Sequence, residues 1–307
     1  MIETLTALIP VFLVIALGWL LKARELFSDE FWETAERLTF YILFPALLIV
    51  KIGDAEVGSR DVAPLFAALF ITAGAITVAV MGLKPALKLD GKTFVAMLQG
   101  MIRPNTYIGL AAAFALYGDA GLTLSAVCIL AVIPLVNIIS VVALLRWSSD
   151  KHDDKPWRTA VRQSIRNPII VACLIGALLN LSGAGLPALV GESLDILGRA
   201  ALPLGLMAVG AGLALRALRV STGTVGASVA VKLLISPFVA TIACGLFGVT
   251  GVAASVAIVF AALPVSASSY VMTRRMGGDG ELMAAIAALS TLAAMGTMPL
   301  VIWALAV

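Results

Sequence analysis

Charged residues are scarce in this sequence of 307 residues. They make up 13% of it, whereas hydrophobic residues make up 61% and the mean hydropathy is +1.06. Soluble domains contain about 25% charged residues and roughly 45–50% apolar residues. The scarcity of charge therefore excludes an ordinary soluble domain and predicts an all-α integral membrane protein.

Side chains suited to catalysis or metal binding are scarce as well. The one histidine, His152, lies in a predicted loop, and the three cysteines fall in separate apolar segments without a CxxC pair: Cys128, Cys173 and Cys244. Such cysteines are usually small packing residues. We expect no disulfide, no metal site and no cofactor.

A serine hydrolase needs a base beside its nucleophile, and only Ser236, four residues from Lys232, formally offers this pair. We therefore predict that the protein is not an enzyme.

Long apolar runs dominate what the sequence does contain. A membrane-spanning helix needs about 20 apolar residues, and irregular backbone cannot face lipid because each unpaired peptide group costs several kcal/mol there. We therefore expect ten transmembrane helices, at residues 4–21, 38–52, 63–83, 93–116, 119–145, 166–181, 196–215, 223–247, 250–273 and 281–305.

The positive charges alternate from loop to loop. Sixteen of the 21 Lys and Arg residues fall in odd-numbered loops, Lys51 and Arg60 fall in even-numbered loops, and three lie inside apolar runs. Because cytoplasmic loops are rich in Lys and Arg, this split places the odd loops in the cytoplasm and both termini outside, in a cell inner membrane. The same distribution explains the net charge of +3 without a nucleic-acid partner.

The two halves of the chain resemble each other. Matching residues recur in order at an offset of 158 to 160: Pro10 with Pro168, Pro45 with Pro203, Pro104 with Pro264, and Gly118-Asp119 with Gly278-Asp279. We predict a first five-helix repeat at 1–145, a cytoplasmic linker at 146–165 and a second repeat at 166–307. An odd number of spans per repeat inverts the second half, which is typical of secondary transporters.

Proline interrupts the fourth and ninth apolar runs at matching positions, Pro104 and Pro264, and polar residues follow each proline. Proline removes an amide donor and clashes with the preceding turn, so each helix is expected to break there. Paired breaks in two halves indicate a transporter's binding site, although a proline kink patched by Ser or Thr is the plainer alternative. The candidate substrate-binding residues at the breaks are Arg103, Pro104, Asn105, Thr106, Tyr107, Pro264, Val265, Ser266, Ser268 and Ser269.

Two cations lie in the middle of apolar runs that contain no Asp or Glu. Arg103 is expected to face an anion, because burying it costs about 2.5–3.5 kcal/mol or more; snorkelling or bonding to backbone carbonyls is the alternative. Lys232 is a second candidate anion contact, or occupies the place of a sodium ion in a related carrier, or simply packs. Asn137 is a candidate for the same cavity, with helix packing as its alternative.

Several motifs resemble the auxin efflux carrier family: residues 103–109 and 117–119, the stretch 263–269, and the closing 289–300. The resemblance spans the chain and is to the bacterial malate or malonate permease type, since the long hydrophilic central loop of many plant members is missing. It implies crossover helices four and nine, with Asn105 as the crossover asparagine. It also implies a homodimer and an elevator in which spans 3–5 and 8–10 move past spans 1, 2, 6 and 7.

These patterns predict a secondary transporter of small organic carboxylates embedded in membrane lipid. Interior-negative potentials oppose the uptake of an anion by about 2.3 kcal/mol per 100 mV, so uncoupled transport favours export. Two alternatives stay open at this point. One is a sodium-coupled organic anion transporter like the bile-acid symporters, which share the fold but use a core acidic side chain. The other is a non-transporting membrane scaffold or sensor.

Overall fold

A computed structural model describes residues 1–55, 59–148, 156–183, 185–219 and 222–305. Within these ranges every regular element is a helix, and the only extended pairing is an isolated two-residue bridge. The predicted all-α class is confirmed. His152 and the other residues at 149–155 of the predicted linker, 146–165, lie outside the described residues.

The first half of the chain is helical from Ile2 to Trp147 apart from short turns and the undescribed residues. Its elements are α1 (Ile2–Ala23), α2 (Asp29–Leu38), a π-helical turn (Thr39–Leu43), α3 (Phe44–Gly53), α4 (Ser59–Leu87), α5 (Gly91–Ile102) and α6 (Thr106–Trp147). The π-turn continues directly from α2 into α3, so the second apolar run forms part of a longer helix than the predicted 38–52.

The second half is also helical, and its helices are on average shorter. Its elements are α7 (Pro156–Ile165), α8 (Pro168–Ser182), α9 (Ala188–Arg199), α10 (Ala201–Ala211), a 3-10 turn (Leu215–Arg219), α11 (Thr222–Ala230), a π-turn (Val231–Ile235), α12 (Ser236–Phe247), α13 (Gly251–Ala261), α14 (Ser268–Arg275) and α15 (Gly280–Leu305).

Among the described residues, six helical segments are long and apolar enough to cross a membrane: Ile2–Ala23, Val62–Leu87, Thr106–Trp147, Ala188–Ala211, Gly223–Phe247 and Gly280–Leu305. Pro168–Ser182 and Gly251–Ala261 are apolar but shorter. These helices confirm a multi-pass membrane protein. The exact number of ten spans and the inverted repeat stay predictions, because several of the expected spans are built from two shorter helices.

Local sequence signals set the helix ends that position the site. Asp90 caps α5, accepting hydrogen bonds from the Lys92 and Thr93 amides at 3.0 and 3.1 Å. Hydrogen bonds from Thr93, and to a lesser extent from backbone amides, lower the pKa of the Asp90 carboxyl. Within α6, Gly118 has φ 59° and ψ −144°, a conformation that glycine adopts without a Cβ clash. This kink separates the predicted fourth and fifth spans.

Glycines bring two helix pairs into close contact. A Cβ at Gly210 of α10 would lie 1.8 Å from the Ile15 carbonyl oxygen of α1, and one at Gly18 would lie 2.1 Å from the Met207 oxygen. In the same way, a Cβ at Gly176 of α8 would lie 2.8 Å from Ile52 of α3. Such close approach through small residues is how membrane helices pack in the absence of water. The α1–α10 and α3–α8 pairs therefore form a tight unit beside the broken helices.

Candidate functional site: the crossing of two broken helices

The chain leaves the helical conformation at two buried segments that pair with each other. The first break lies between α5 and α6, at residues 103–105, and the second lies between α13 and α14, at residues 262–267. The Asn105 amide donates to the Pro264 carbonyl oxygen at 2.8 Å, and the Ser266 amide donates to the Arg103 oxygen at 3.2 Å. Pro104 and Val265 thus form an antiparallel bridge, and the two broken helices cross at this point.

Asn105 stabilises the start of the helix after the first break. Its Oδ1 atom accepts hydrogen bonds from the Tyr107 and Ile108 amides, at 3.2 and 3.3 Å, which makes it the N-cap of α6. Because the oxygen faces these amides, the side-chain nitrogen points away from them. Asn105 is 3% exposed, and it lines the large cavity described below.

Arg103 connects the first break to α14. Its Nε donates to Ser269 Oγ at 2.8 Å, and its Nη1 lies 3.8 Å from Met272 Sδ. One turn earlier in α5, Gln99 Nε2 donates to Thr273 Oγ1 at 2.8 Å. Arg103 is 8% exposed and forms no ion pair within the described ranges. A hydroxyl and a thioether use only part of the five N–H donors of its guanidinium group. No carboxylate within the described ranges neutralises its charge.

A cavity of about 730 Å³ reaches the crossing from one end of the molecule. Asn105 and Val265 line its buried end, and Ala267 and Tyr270 line its wall. The outer part carries three exposed arginines and one acid: Arg216, Arg219, Arg274 and Glu281. We call this the arginine cavity. Walls of one charge sign concentrate ions of the opposite sign, so the cavity favours anions.

A second cavity, of about 780 Å³, has the opposite charge. Its ionisable lining residues are one lysine and four acids: Lys51, Asp54, Asp119, Glu192 and Asp195. Lys51 Nζ pairs with Asp119 at 3.0 Å. We call this the acidic cavity, and no residue of the crossing lines it. Asp195 of α9 lines the acidic cavity and Val209 of α10 lines the arginine cavity, and the two helices follow each other within the candidate span Ala188–Ala211. At about 1.5 Å per residue, roughly 21 Å of helix separates the two residues, so the cavities lie toward opposite ends of this span.

Lys232 lies beside the crossing but outside the arginine cavity. It is 3% exposed and its Nζ donates to the Ala261 carbonyl oxygen at 3.0 Å. It lines a small cavity of about 20 Å³ together with Pro104, Ser236 and Phe260. This cavity shares no lining residue with the arginine cavity. Lys232 therefore contacts the end of a half-helix, on a different side of the crossing from the anion-favouring surface.

The structure brings together most of the predicted site and places a few residues elsewhere. Ser266 and Ser268 hydroxyl oxygens lie 2.8 Å apart at the start of α14. Tyr107 stacks on Phe44 of α3, with ring centroids 4.5 Å apart, and so contacts the neighbouring helix unit. Asn137 lies 32 residues beyond Asn105 on α6 and lines neither large cavity. The residues gathered at the crossing are Arg103, Pro104, Asn105, Pro264, Val265, Ser266 and Ser269.

The sequence did not single out several residues that complete the site. Ser290 of α15 accepts a hydrogen bond from the Val265 amide at 3.0 Å and donates to the Ala287 oxygen. Two further residues are Gln99 of α5 and Thr273 of α14, whose side chains form the hydrogen bond described above. The only sequence signal for Gln99, Thr273 and Ser290 was that each is a polar residue within an apolar run. The three cavity arginines were counted only as loop charges that set orientation.

Helices of membrane-spanning length, two breaks that cross inside the helix bundle and an anion-favouring cavity that ends at the crossing together define a membrane transport protein. The chain matches the family described as "Membrane transport protein" over residues 4–302, and it belongs to this auxin efflux carrier-like family. It is also similar to an uncharacterized transporter of Methanothermobacter thermautotrophicus, with 22% identity over 295 residues that cover 95% of each chain. The resemblance predicted from the motifs is confirmed, and the family is one of transporters rather than enzymes.

Proposed function

We propose that the protein is a secondary transporter for small organic carboxylates, with the crossing of the two broken helices as its binding site. The observation that carries this proposal is the arginine cavity. It leads from three exposed arginines to the buried side chain of Asn105. An anion attracted at the mouth can therefore reach the crossing without leaving the cavity.

The chemistry at the buried end suits a carboxylate. The Asn105 oxygen is used by the α6 amides, so its NH₂ group is the part free to donate to a substrate oxygen. Arg103 supplies a buried positive charge on the adjacent residue, held by Ser269. The half-helices α6 and α14 both begin at the crossing, and the positive ends of their dipoles favour a negative group.

The proposed topology is ten spans in two inverted five-helix repeats, at 1–145 and 166–307, joined by a cytoplasmic linker at 146–165. The matched breaks at Pro104 and Pro264 and the kink at Gly118 support it. With odd loops in the cytoplasm, Arg216, Arg219 and Arg274 face the cytoplasm and both termini lie outside. The arginine cavity is then the cytoplasmic access path.

The proposed mechanism is an elevator. The spans containing α4–α6 and α11–α15 would carry the crossing past the glycine-packed unit of α1, α3, α8 and α10, in a homodimer. Tyr107 stacked on Phe44 lies at the boundary between the two groups, where a sliding contact is needed. No acidic side chain lies at the crossing among the described residues, so we do not propose a sodium symporter of the bile-acid type.

The test is transport by the purified protein in proteoliposomes. Labelled malate, malonate and an aromatic carboxylate are measured for uptake and efflux, with and without sodium and pH gradients. We expect saturable flux of at least one carboxylate and none of an uncharged analogue such as its amide. No carboxylate flux under any gradient would contradict the proposal.

A further inference from the structure

The position of Lys232 is unusual for a lysine in a membrane protein. It lies in the π-helical turn Val231–Ile235, and its Nζ donates a hydrogen bond to the carbonyl oxygen of Ala261. Ala261 is the last residue of α13, next to the second break. π-Turns inside helices occur frequently at functional sites. Burying a lysine within a membrane is energetically costly, so lysines at such positions usually have a function.

The end of α13 is a natural place for a cation. The last carbonyl groups of a helix lack partners within it and carry a partial negative charge. In transporters, the carbonyl ends of broken helices hold the coupling sodium ion or proton. Here the Lys232 ammonium occupies that position as a cation attached to the protein.

The small cavity beside Lys232 has room for a group that could accept a proton from its ammonium. Its volume of about 20 Å³ is sufficient for one water molecule, which needs at least about 10–15 Å³. Ser236 lines the same cavity and is 7% exposed, and its hydroxyl forms no hydrogen bond within the part of the chain that the structure describes. A water between Lys232 and Ser236 would receive the proton when the amine releases it.

The charges around Lys232 couple it to the anion site. Among the residues lining its cavity Lys232 is the only titratable group. Of the helices around it, α11 and α13 carry no other, α12 carries Cys244, and α5 and α15 carry Lys92 and Glu281 near their first residues. The described side chains of α4 include Lys84 in its last turn, and α6 carries Tyr107, Tyr117, Asp119, Cys128 and Arg146. A second cation, Arg103, adjoins this lining, since it lies in sequence between the lining residues Ile102 and Pro104. Arg103 disfavours a second positive charge nearby. An anion that neutralises Arg103 therefore favours protonation of Lys232.

We propose that Lys232 is the proton-binding site of this transporter, so that a carboxylate and a proton bind and move together. The inference rests on the proposed function, because it names the ion coupled to that substrate. Linkage requires that the proton also strengthens carboxylate binding by the same factor. For a substrate with one negative charge the pair moves no net charge, which makes uptake against an interior-negative potential feasible.

The deciding experiment compares wild type with Lys232→Gln in proteoliposomes. Two measurements are made: concentrative uptake driven by an inward proton gradient, and exchange of labelled for unlabelled carboxylate at equal pH. Exchange needs no net proton movement. We expect Lys232→Gln to keep exchange within several-fold of wild type and to lose gradient-driven accumulation. Accumulation equal to wild type in Lys232→Gln would overturn the inference, whereas no flux or exchange by wild type would instead contradict the proposed function.

A second measurement applies if the variant does not fold. Carboxylate is added to the wild-type protein in weakly buffered detergent solution with a pH indicator, between about pH 6 and 9. Binding is expected to take up protons, and the uptake should vanish at pH values where the amine is already fully protonated. Carboxylate binding without proton uptake at any pH in this range would overturn the inference.

Discussion

The two breaks that form the crossing are stabilised in different ways. The first is three residues long and supplies its own stabilising side chains, since Asn105 caps α6 and Arg103 donates to Ser269 of α14. The second is six residues long, has no side-chain cap on α14 and relies on neighbouring helices. Ser290 holds the Val265 amide and Lys232 holds the Ala261 carbonyl. The first break therefore supplies the binding groups, and the second supplies a backbone frame that depends on its surroundings.

The sharpest way to test this division is Asn105→Asp. Aspartate caps a helix as well as asparagine does, so α6 should keep its start and the melting temperature should not fall. The variant replaces the NH₂ donor with a carboxylate that repels the substrate. We expect carboxylate binding and transport to fall below detection, while size-exclusion chromatography shows a monodisperse protein. Wild-type transport by Asn105→Asp would remove this side chain from the site.

The next largest effect is expected for Arg103→Ala, which removes the buried charge of the first break. Binding of a carboxylate should be abolished, because charge-assisted hydrogen bonds are the strongest polar contacts available here. Ser269→Ala is the matched control, since it removes the anchor but keeps the guanidinium. We expect Ser269→Ala to weaken binding only partially, as measured by ligand-induced shifts in melting temperature. Equal losses in both variants would mean that Arg103 acts by holding α5 against α14.

Much of this crossing was predictable from the sequence, because proline chemistry is local. Pro104 and Pro264 indicated both breaks, and the offset of 160 between them indicated that they form a pair. The partners of Arg103 were not predictable, since Ser269 lies 166 residues away and its contact depends on how the helices pack. Lys232 illustrates the same limit. Its burial was expected from the apolar run, but its bond to Ala261 requires the three-dimensional arrangement.

The arginine and acidic cavities extend the comparison to the ends of the molecule. Neutralising two cavity arginines, in Arg216→Gln with Arg219→Gln, should raise KM several-fold at low salt and leave kcat nearly unchanged. The effect should shrink above physiological ionic strength, where charges are screened beyond about 8 Å. Asp119→Asn in the acidic cavity is the control and should not raise KM for substrate supplied on the arginine side. A salt-independent rise in KM would show instead that the arginines contact the bound substrate.

The smallest effect is expected at the frame of the second break. Ser290→Ala removes the acceptor of the buried Val265 amide, and an unsatisfied buried donor costs about 1–3 kcal/mol. Thr297→Ala on the same helix is the control, since Thr297 bonds only to its own helix, at the Ala293 oxygen. We expect Ser290→Ala to melt at a lower temperature than Thr297→Ala while its affinity for carboxylate changes by less than about threefold, because Val265 contributes backbone rather than a charged group. If Ser290→Ala instead lost affinity as completely as Asn105→Asp, the second break would be a source of binding groups in its own right, and the division between the two breaks would be wrong.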